Sequence, residues 1–533
     1  MQNNELRGVL IFFLLVGIGI FLFLEGIPTL YAFNLSFRYF SIVSGAFGSP
    51  WVGLDNFQRL FSSYAFSSLL ANSIVLFIVP TIVAIIIAFP GALMVGGMTP
   101  GRQRSMAMVA LLLPAFIPDV IIAFATVYTL PSTTLANPNS FRVVLILLSV
   151  IRPASVCAFV GACAAGLYND RNKSVSHGAA AGIVVGIAVS VVRFLTSNLE
   201  LHTLLVNPLV LSATDTFDHF IYRQGLIMAQ FSFASAAWFF RTIPQVLAAI
   251  LVSFIVYLCV RSGLNEETPI VDELVSDQKN PIAIAPAILC ALALLVFLFL
   301  PLAHSSPFMD APHLTINSVM TNMLPQAIVN SALTTVFSAL LFSIPLFMLT
   351  VWLCTNIHNR GAVIFILLLV SMSNNTIGEF LFYHTLGLVN THLAVIFSNA
   401  FNFAFVLPLA YLARLKVSNT KAALMKERPI PEANCHTSLG DITSAARPYL
   451  VAFCGLFIAN IWGGSHNQII YTMDQRLWGT AILLRQAAFS GGELPSAGMV
   501  LGVSLPVLVV AVAVAVIFVG LGERNNEERG FDS

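Results

Sequence analysis

Charge is the scarcest property of this 533-residue chain: Asp, Glu, Lys and Arg together make up 9% of it. Soluble domains carry roughly 25% charged residues because their surfaces face water, so a water-soluble globule of this length is excluded. A basic stripe is missing as well. The 25 Lys and Arg against 24 Asp and Glu leave a net charge of +1, which gives nucleic acid no phosphate-neutralising surface. Cysteines are few, and no CxxC pair occurs. Cys157, Cys163, Cys259, Cys290, Cys354 and Cys454 lie in apolar runs and Cys435 in a polar one. They read as small buried hydrophobes, not as a disulfide frame or a metal site. No GxxxxGK[ST] loop is present to cradle a nucleotide. No Ser-His-Asp or metal-ligand spacing stands out among the ten dispersed histidines. The expectation is a protein with no catalytic site and no cofactor of its own.

What the chain has in abundance is apolar sequence: 58% of residues are hydrophobic, and the mean hydropathy is +0.88. A membrane-spanning helix needs about 20 mostly apolar residues. Runs of that kind fall near 8–32, 69–97, 106–130, 142–167, 178–198 and 232–260, then near 283–303, 327–354, 362–385, 392–414, 447–464 and 497–521. The first run continues through Glu25 and Gly26 into an aromatic stretch, longer than a signal-peptide core, and reads as a spanning helix. Between the sixth and seventh runs lies an acidic segment with Glu266, Glu267, Asp272, Glu273 and Asp277. The expectation is an all-α polytopic membrane protein with about 12 transmembrane helices. It divides into residues 1–262, a cytoplasmic linker 263–282, and residues 283–533, and duplication of this kind is common in transporters. Lys and Arg are concentrated on the side that holds Arg7, Arg102, Arg104, Arg414, Lys416, Lys421, Lys426 and Arg524. By the positive-inside bias this places both termini in the cytoplasm, with the chain in the cell membrane. Two outer segments, 199–231 and 463–495, each follow the fifth helix of a half and are long enough to be either functional or a plain cap.

Ionisable groups inside spanning helices are costly and therefore candidates for function. Asp119 follows the proline-broken Leu113-Pro-Ala-Phe-Ile-Pro118, and Glu379 follows Asn374 and Asn375 in the corresponding helix of the second half. Each carboxylate has two readings: it lines a pathway for a hydroxyl-rich solute, or it pairs with an arginine and caps a broken helix. Arg152, Arg193 and Arg241 are the possible partners, or they snorkel to an interface. Trp462, His466 and Asn467 open the second outer segment. They suit stacking and hydrogen bonding to sugar rings, or form part of an interfacial aromatic belt. The Gly and Ala clusters at 157–166 and 178–186 favour close helix packing.

Four ordered motifs add a resemblance. Gly48-Ser-Pro-Trp-Val-Gly-Leu-Asp-Asn-Phe-Gln-Arg-Leu-Phe61, followed by Asn72-Ser73, resembles the "WVGLxNFxxLF … NT" signature of permease subunits from ATP-binding-cassette sugar importers. Asn207-Pro208, Asp215, Asp218, Tyr222-Arg223, Gly225-Leu226 and Gln230-Phe-Ser-Phe-Ala234 resemble the stretch before the last helix of the same subunit. Leu386-Gly-Leu-Val-Asn-Thr391 is similar to the "LGLxNT" turn of the partner subunit. Trp462, Tyr471, Asp474, Leu477 and Leu484-Arg485 are similar to its "W … YxxDxxLxPLQxxLR" segment.

The resemblance implies two type I ABC permease halves, of the oligosaccharide or polygalacturonan type, fused head to tail. It implies import of an oligosaccharide or similar hydrophilic solute, with ABC ATPase subunits and an extracytoplasmic solute-binding protein as partners. Such permeases dock an EAAxxxG(x9)IxLP loop on the ATPase, and both copies are eroded here. The first place holds Asp170, Arg171 and Lys173 with no EAA; the second holds Ile430, Glu432, Leu439 and Gly440, with Pro448 arriving too soon. Two alternatives follow: a non-transporting membrane scaffold derived from such a permease, or an ion-coupled secondary transporter. The topology has a direct test. A single cysteine at position 270 should resist a membrane-impermeant thiol reagent on intact cells, and labelling there would overturn the assignment of sides.

Overall fold

A computed structural model describes residues 19–169, 174–193, 195–265, 284–304, 315–316, 318–357, 359–372, 375–399, 403–427, 439–489 and 493–530. The first half runs through α1 (Gly19–Ser36), α2 (Asp55–Ser62), α3 (Phe66–Gly96), α4 (Arg102–Leu112), α5 (Asp119–Thr129), α6 (Pro138–Asn169), α7 (Val175–Val192), α8 (Leu199–Leu205), α9 (Phe217–Tyr222) and α10 (Phe231–Asn265). The second half runs through α11 (Ala285–Phe299), α12 (Leu324–Asn356), α13 (Arg360–Met372), α14 (Thr376–Thr385), α15 (His392–Asn399) and α16 (Val406–Glu427). It ends with α17 (Leu439–Gly463), α18 (His466–Tyr471), α19 (Thr480–Phe489) and α20 (Ala497–Gly530). The strands β1 (Thr315–Ile316) and β2 (Glu493–Leu494) form one short parallel pair.

The chain is an all-α polytopic membrane protein. Among the described residues, nine helices are long and apolar enough to span a bilayer, or ten if the bent pair α4–α5 is one span. Rows of exposed apolar side chains at helical spacing face outward, such as Ile78, Ile82 and Ile86 on α3 and Leu247, Ile250 and Leu251 on α10. In water such a belt would be an aggregation surface; in lipid it is the correct solvent match.

The remaining two apolar runs differ from the uninterrupted spans expected of them, because both are segmented. The run near 362–385 breaks between α13 and α14, and that near 392–414 breaks between α15 and α16, with a single 3₁₀ turn at Phe403–Phe405. The third run breaks too: after the 3₁₀ turn Leu113–Phe116 the chain bends by 69° into α5. Pro114 and Pro118 supply the break, since neither can donate to the preceding turn. Broken backbone at membrane depth needs cover from protein or a polar cavity, and both α5 and α14 start against such a cavity.

Close approach of backbones holds the first half together. A Cβ on Gly161 would lie 2.8 Å from Ile183 and 2.9 Å from Ala92, and one on Gly182 would lie 2.7 Å from the Val160 carbonyl. The small-residue clusters thus bring α3, α6 and α7 into backbone contact. Between halves the contacts are reciprocal. Helix α1 packs on α14 of the other half, while α11 packs on α4 and α5; α10 packs on α13, while α20 packs on α4. Pairing in which element i meets j′ and j meets i′ is the signature of a two-fold arrangement.

The outer segments are pinned rather than draped. Asn72 donates to the Ser212 carbonyl and accepts from Arg142, and Ser73 accepts from the Phe217 amide at the start of α9. On α12, Asn330 donates to the carbonyls of Arg476 and Trp478, and Ser331 accepts from the Thr480 amide at the start of α19. The same Asn-Ser pair does the same work in each half. Asn56 of the first motif closes the end of α1, donating to the carbonyls of Ser36 and Arg38. In the "LGLxNT" turn, Gly387 and Asn390 both take positive φ, and Asn390 accepts from the amides of Met473 and Asp474. Motif residues, in short, tie loops to spans.

Candidate functional site: a polar cavity between the halves

Four broken or loosely packed helix ends converge on a cavity of about 420 Å³. The first half contributes Asp119 at the first position of α5, Arg152 of α6 and Arg193 at the end of α7. The second half contributes Glu379 of α14 with His466 and Asn467 of α18. Asp119, Glu379, His466 and Asn467 are therefore brought together, although they are up to several hundred residues apart in sequence.

Asp119 is 2% exposed, and its two oxygens accept from Arg152 at 2.8 Å and from Asn198 at 3.1 Å. Arg152 also donates to the Ile117 carbonyl, one of the groups freed by the proline break. Asp119 thus pairs with an arginine at a broken helix, and it borders the cavity. Glu379 accepts from the Tyr471 hydroxyl at 3.0 Å. Arg241, 2% exposed, pairs with Asp218, whose other oxygen accepts from the Ser197 amide. Arg193 faces Glu25, a charge of α1 that hydropathy alone absorbs into the first apolar run. Its only sequence signal is a carboxylate inside a spanning helix.

Two predicted site residues lie elsewhere. Trp462 donates its indole N–H to the Gly502 carbonyl and joins α17 to α20. Asn375 is fully buried as the N-cap of α14, accepting from the Gly378 amide and donating to the Pro28 carbonyl of α1. It is a joint between halves, not a lining group. Asn374, Asp170, Arg171, Lys173, Ile430 and Glu432 lie outside the described residues. Leu439 opens α17, and Gly440, which follows it, is exposed.

The segments 199–231 and 463–495 meet in a latch. Glu200 of α8 accepts from the amide and hydroxyl of Ser465, at 2.5 and 2.8 Å. Arg485 of α19 reaches back to the hydroxyl and carbonyl of Thr203. Burial pushes the Glu200 carboxyl up, helped by the nearby Asp119 charge and opposed by the bonds from Ser465. Burial pushes His202 down to about 4 and His466 down to about 3, so both imidazoles stay neutral at physiological pH.

No family profile and no curated protein matches the chain. Among solved structures it is similar to a chain of a bacterial alginate ABC transporter in complex with an alginate pentasaccharide-bound periplasmic protein. The identity is 20% and the TM-score 0.40, over 48% of this chain and 96% of that one. What the cavity does has to be read from the residues around it. Those residues make a prediction about cost. Arg152→Gln leaves Asp119 buried without its cation, a class of change that destabilises by about 3–5 kcal/mol. The double change Asp119→Asn with Arg152→Gln should recover part of that loss. Thermal unfolding of the purified variants checks it, and a double variant no more stable than the single would argue against the pair.

Proposed function

We propose that the chain is a fused pair of permease halves that imports a hydroxyl-rich solute, an oligosaccharide or similar, across the cell membrane. Separate ABC ATPase subunits and an extracytoplasmic solute-binding protein would complete the importer. The observation that carries the reading is the cavity itself. It lies at the seam between the two halves, is furnished with charged, hydroxyl and amide groups from both, and sits among helices whose outer faces are apolar. A mere anchor gains nothing from burying carboxylates and guanidiniums, which cost several kcal/mol each at membrane depth unless paired.

The seam gives the mechanism. If one half rocks against the other, the cavity opens to one side and then the other, with Asp119 and its neighbours moving with the first half and Glu379, His466 and Asn467 with the second. The Glu200–Ser465 and Arg485–Thr203 contacts cross the seam on the outer side, so they close that entrance and must break for solute to enter.

Coupling to an ATPase is one-sided in this reading. Helix α6 ends at Asn169 and α7 begins at Val175, leaving five residues, 170 to 174, between them. Their sequence, with Asp170, Arg171 and Lys173, offers charge but little apolar surface for docking. The second coupling place is longer in sequence: Ile430 and Glu432 precede α17, and Leu439 and Gly440 open it. Apolar anchors of this kind are what interface hot spots require. The same short joint supports the second reading, a scaffold that has lost its ATPase. Purification of the full chain from native membranes separates them. An ATPase should accompany the chain, be released by Ile430→Asp or Leu439→Asp, and be retained by Asp170→Ala. A chain that binds no ATPase, and whose assembly is indifferent to these changes, would be a scaffold.

A further inference from the structure

The charge of the cavity is not balanced. Its lining holds four carboxylates, Glu25, Asp119, Asp218 and Glu379, and two guanidiniums, Arg152 and Arg193. Asp119 is neutralised by Arg152, and Asp218 by Arg241 from behind the wall. Arg193 faces Glu25 and is the one cation left among the described lining residues for Glu25 and Glu379, so one of these two carboxyls has no cation of its own. Glu379 has a neutral donor, the Tyr471 hydroxyl. Glu25 is 4% exposed, and its Oε2 has no hydrogen-bond partner among the described residues. An unsatisfied buried polar atom is destabilising, the more so when it is charged. Its charged neighbours are Glu379, which repels it, and Arg193, which attracts it.

We infer that the cavity takes a hydroxyl-rich solute that carries a cationic amine, an amino-sugar oligomer being the simplest class, and that Glu25 with Glu379 receives the ammonium. This deepens the permease reading and rests on it. An ammonium supplies both things the site lacks, a donor for the orphaned Glu25 oxygen and the missing positive charge. Thr81, Ser149, Ser190, Ser398, Asn198 and Asn467 line the same space with the donors and acceptors that sugar hydroxyls use. Its volume of about 420 Å³ lies within the roughly 300–1,000 Å³ of small-molecule sites. A uronate oligomer would bring a carboxylate to a wall that already has one carboxylate too many.

The test uses the full chain in lipid nanodiscs and three probes of equal length: a glucosamine tetramer, its N-acetylated form and a galacturonate tetramer. The glucosamine tetramer should bind at least about tenfold more tightly than the N-acetylated one. Glu25→Gln should abolish that preference. Glu379→Gln serves as the second variant if Glu25→Gln does not fold, and it should narrow the preference in the same direction. A galacturonate or N-acetylated probe that binds as well as the amine form would overturn the charge inference and leave the permease reading standing. If none of the three binds, the inference fails, and co-purification of an ATPase decides the permease reading independently.

Discussion

The Asp119–Arg152 pair is the interaction around which the rest is arranged. A bilayer offers no water to a freed carbonyl or a lone charge, so every polar group at depth must find a partner in the protein. The proline break before α5 frees backbone groups; one terminal nitrogen of Arg152 satisfies the Ile117 carbonyl, and the other holds Asp119. Asn198 completes the carboxylate from the start of the outer segment. One pair thus fixes a broken helix, a spanning helix and a loop. In the other half, Asn375 caps α14 while holding Pro28 of α1, which binds the break to the opposite half. The cavity is the space these two breaks leave where they face each other.

The polar pins explain how so apolar a chain keeps long outer segments in place. Asn72-Ser73 and Asn330-Ser331 sit at equivalent points of α3 and α12, and each grips the first turn of a helix in its outer segment. The grips are buried hydrogen bonds to backbone, which hold position without a hydrophobic driving force that lipid would not provide. The Glu200–Ser465 contact joins the two gripped segments to each other.

Much of this was legible in the sequence, for physical reasons that also explain the exceptions. Asp119 and Glu379 were visible because a carboxylate inside an apolar run is costly, and the break beside Asp119 was visible through Pro118; the break beside Glu379, where Asn375 caps α14, carries no proline to mark it. Glu25 has the same property, but hydropathy averaged over a window hides a single charge near the end of a run. Trp462 was misplaced because an indole can donate to a sugar or to a neighbouring carbonyl such as that of Gly502, and composition does not distinguish the two. Asn330-Ser331 went unnoticed because two residues are too few to register as a repeat.

The central claim is that water reaches a cavity between the halves and that the outer latch controls its entrance. The most direct measurement is the reactivity of a single cysteine at Ser149, in a chain whose own cysteines are replaced, toward a small membrane-impermeant thiol reagent. A cysteine at Leu251, 64% exposed on the lipid-facing side of α10, is the control. The account predicts that position 149 reacts, that position 251 does not, and that Glu200→Ala speeds the reaction at 149 from the outer side. Equal inertness at both positions, or a rate at 149 indifferent to Glu200→Ala, would contradict it.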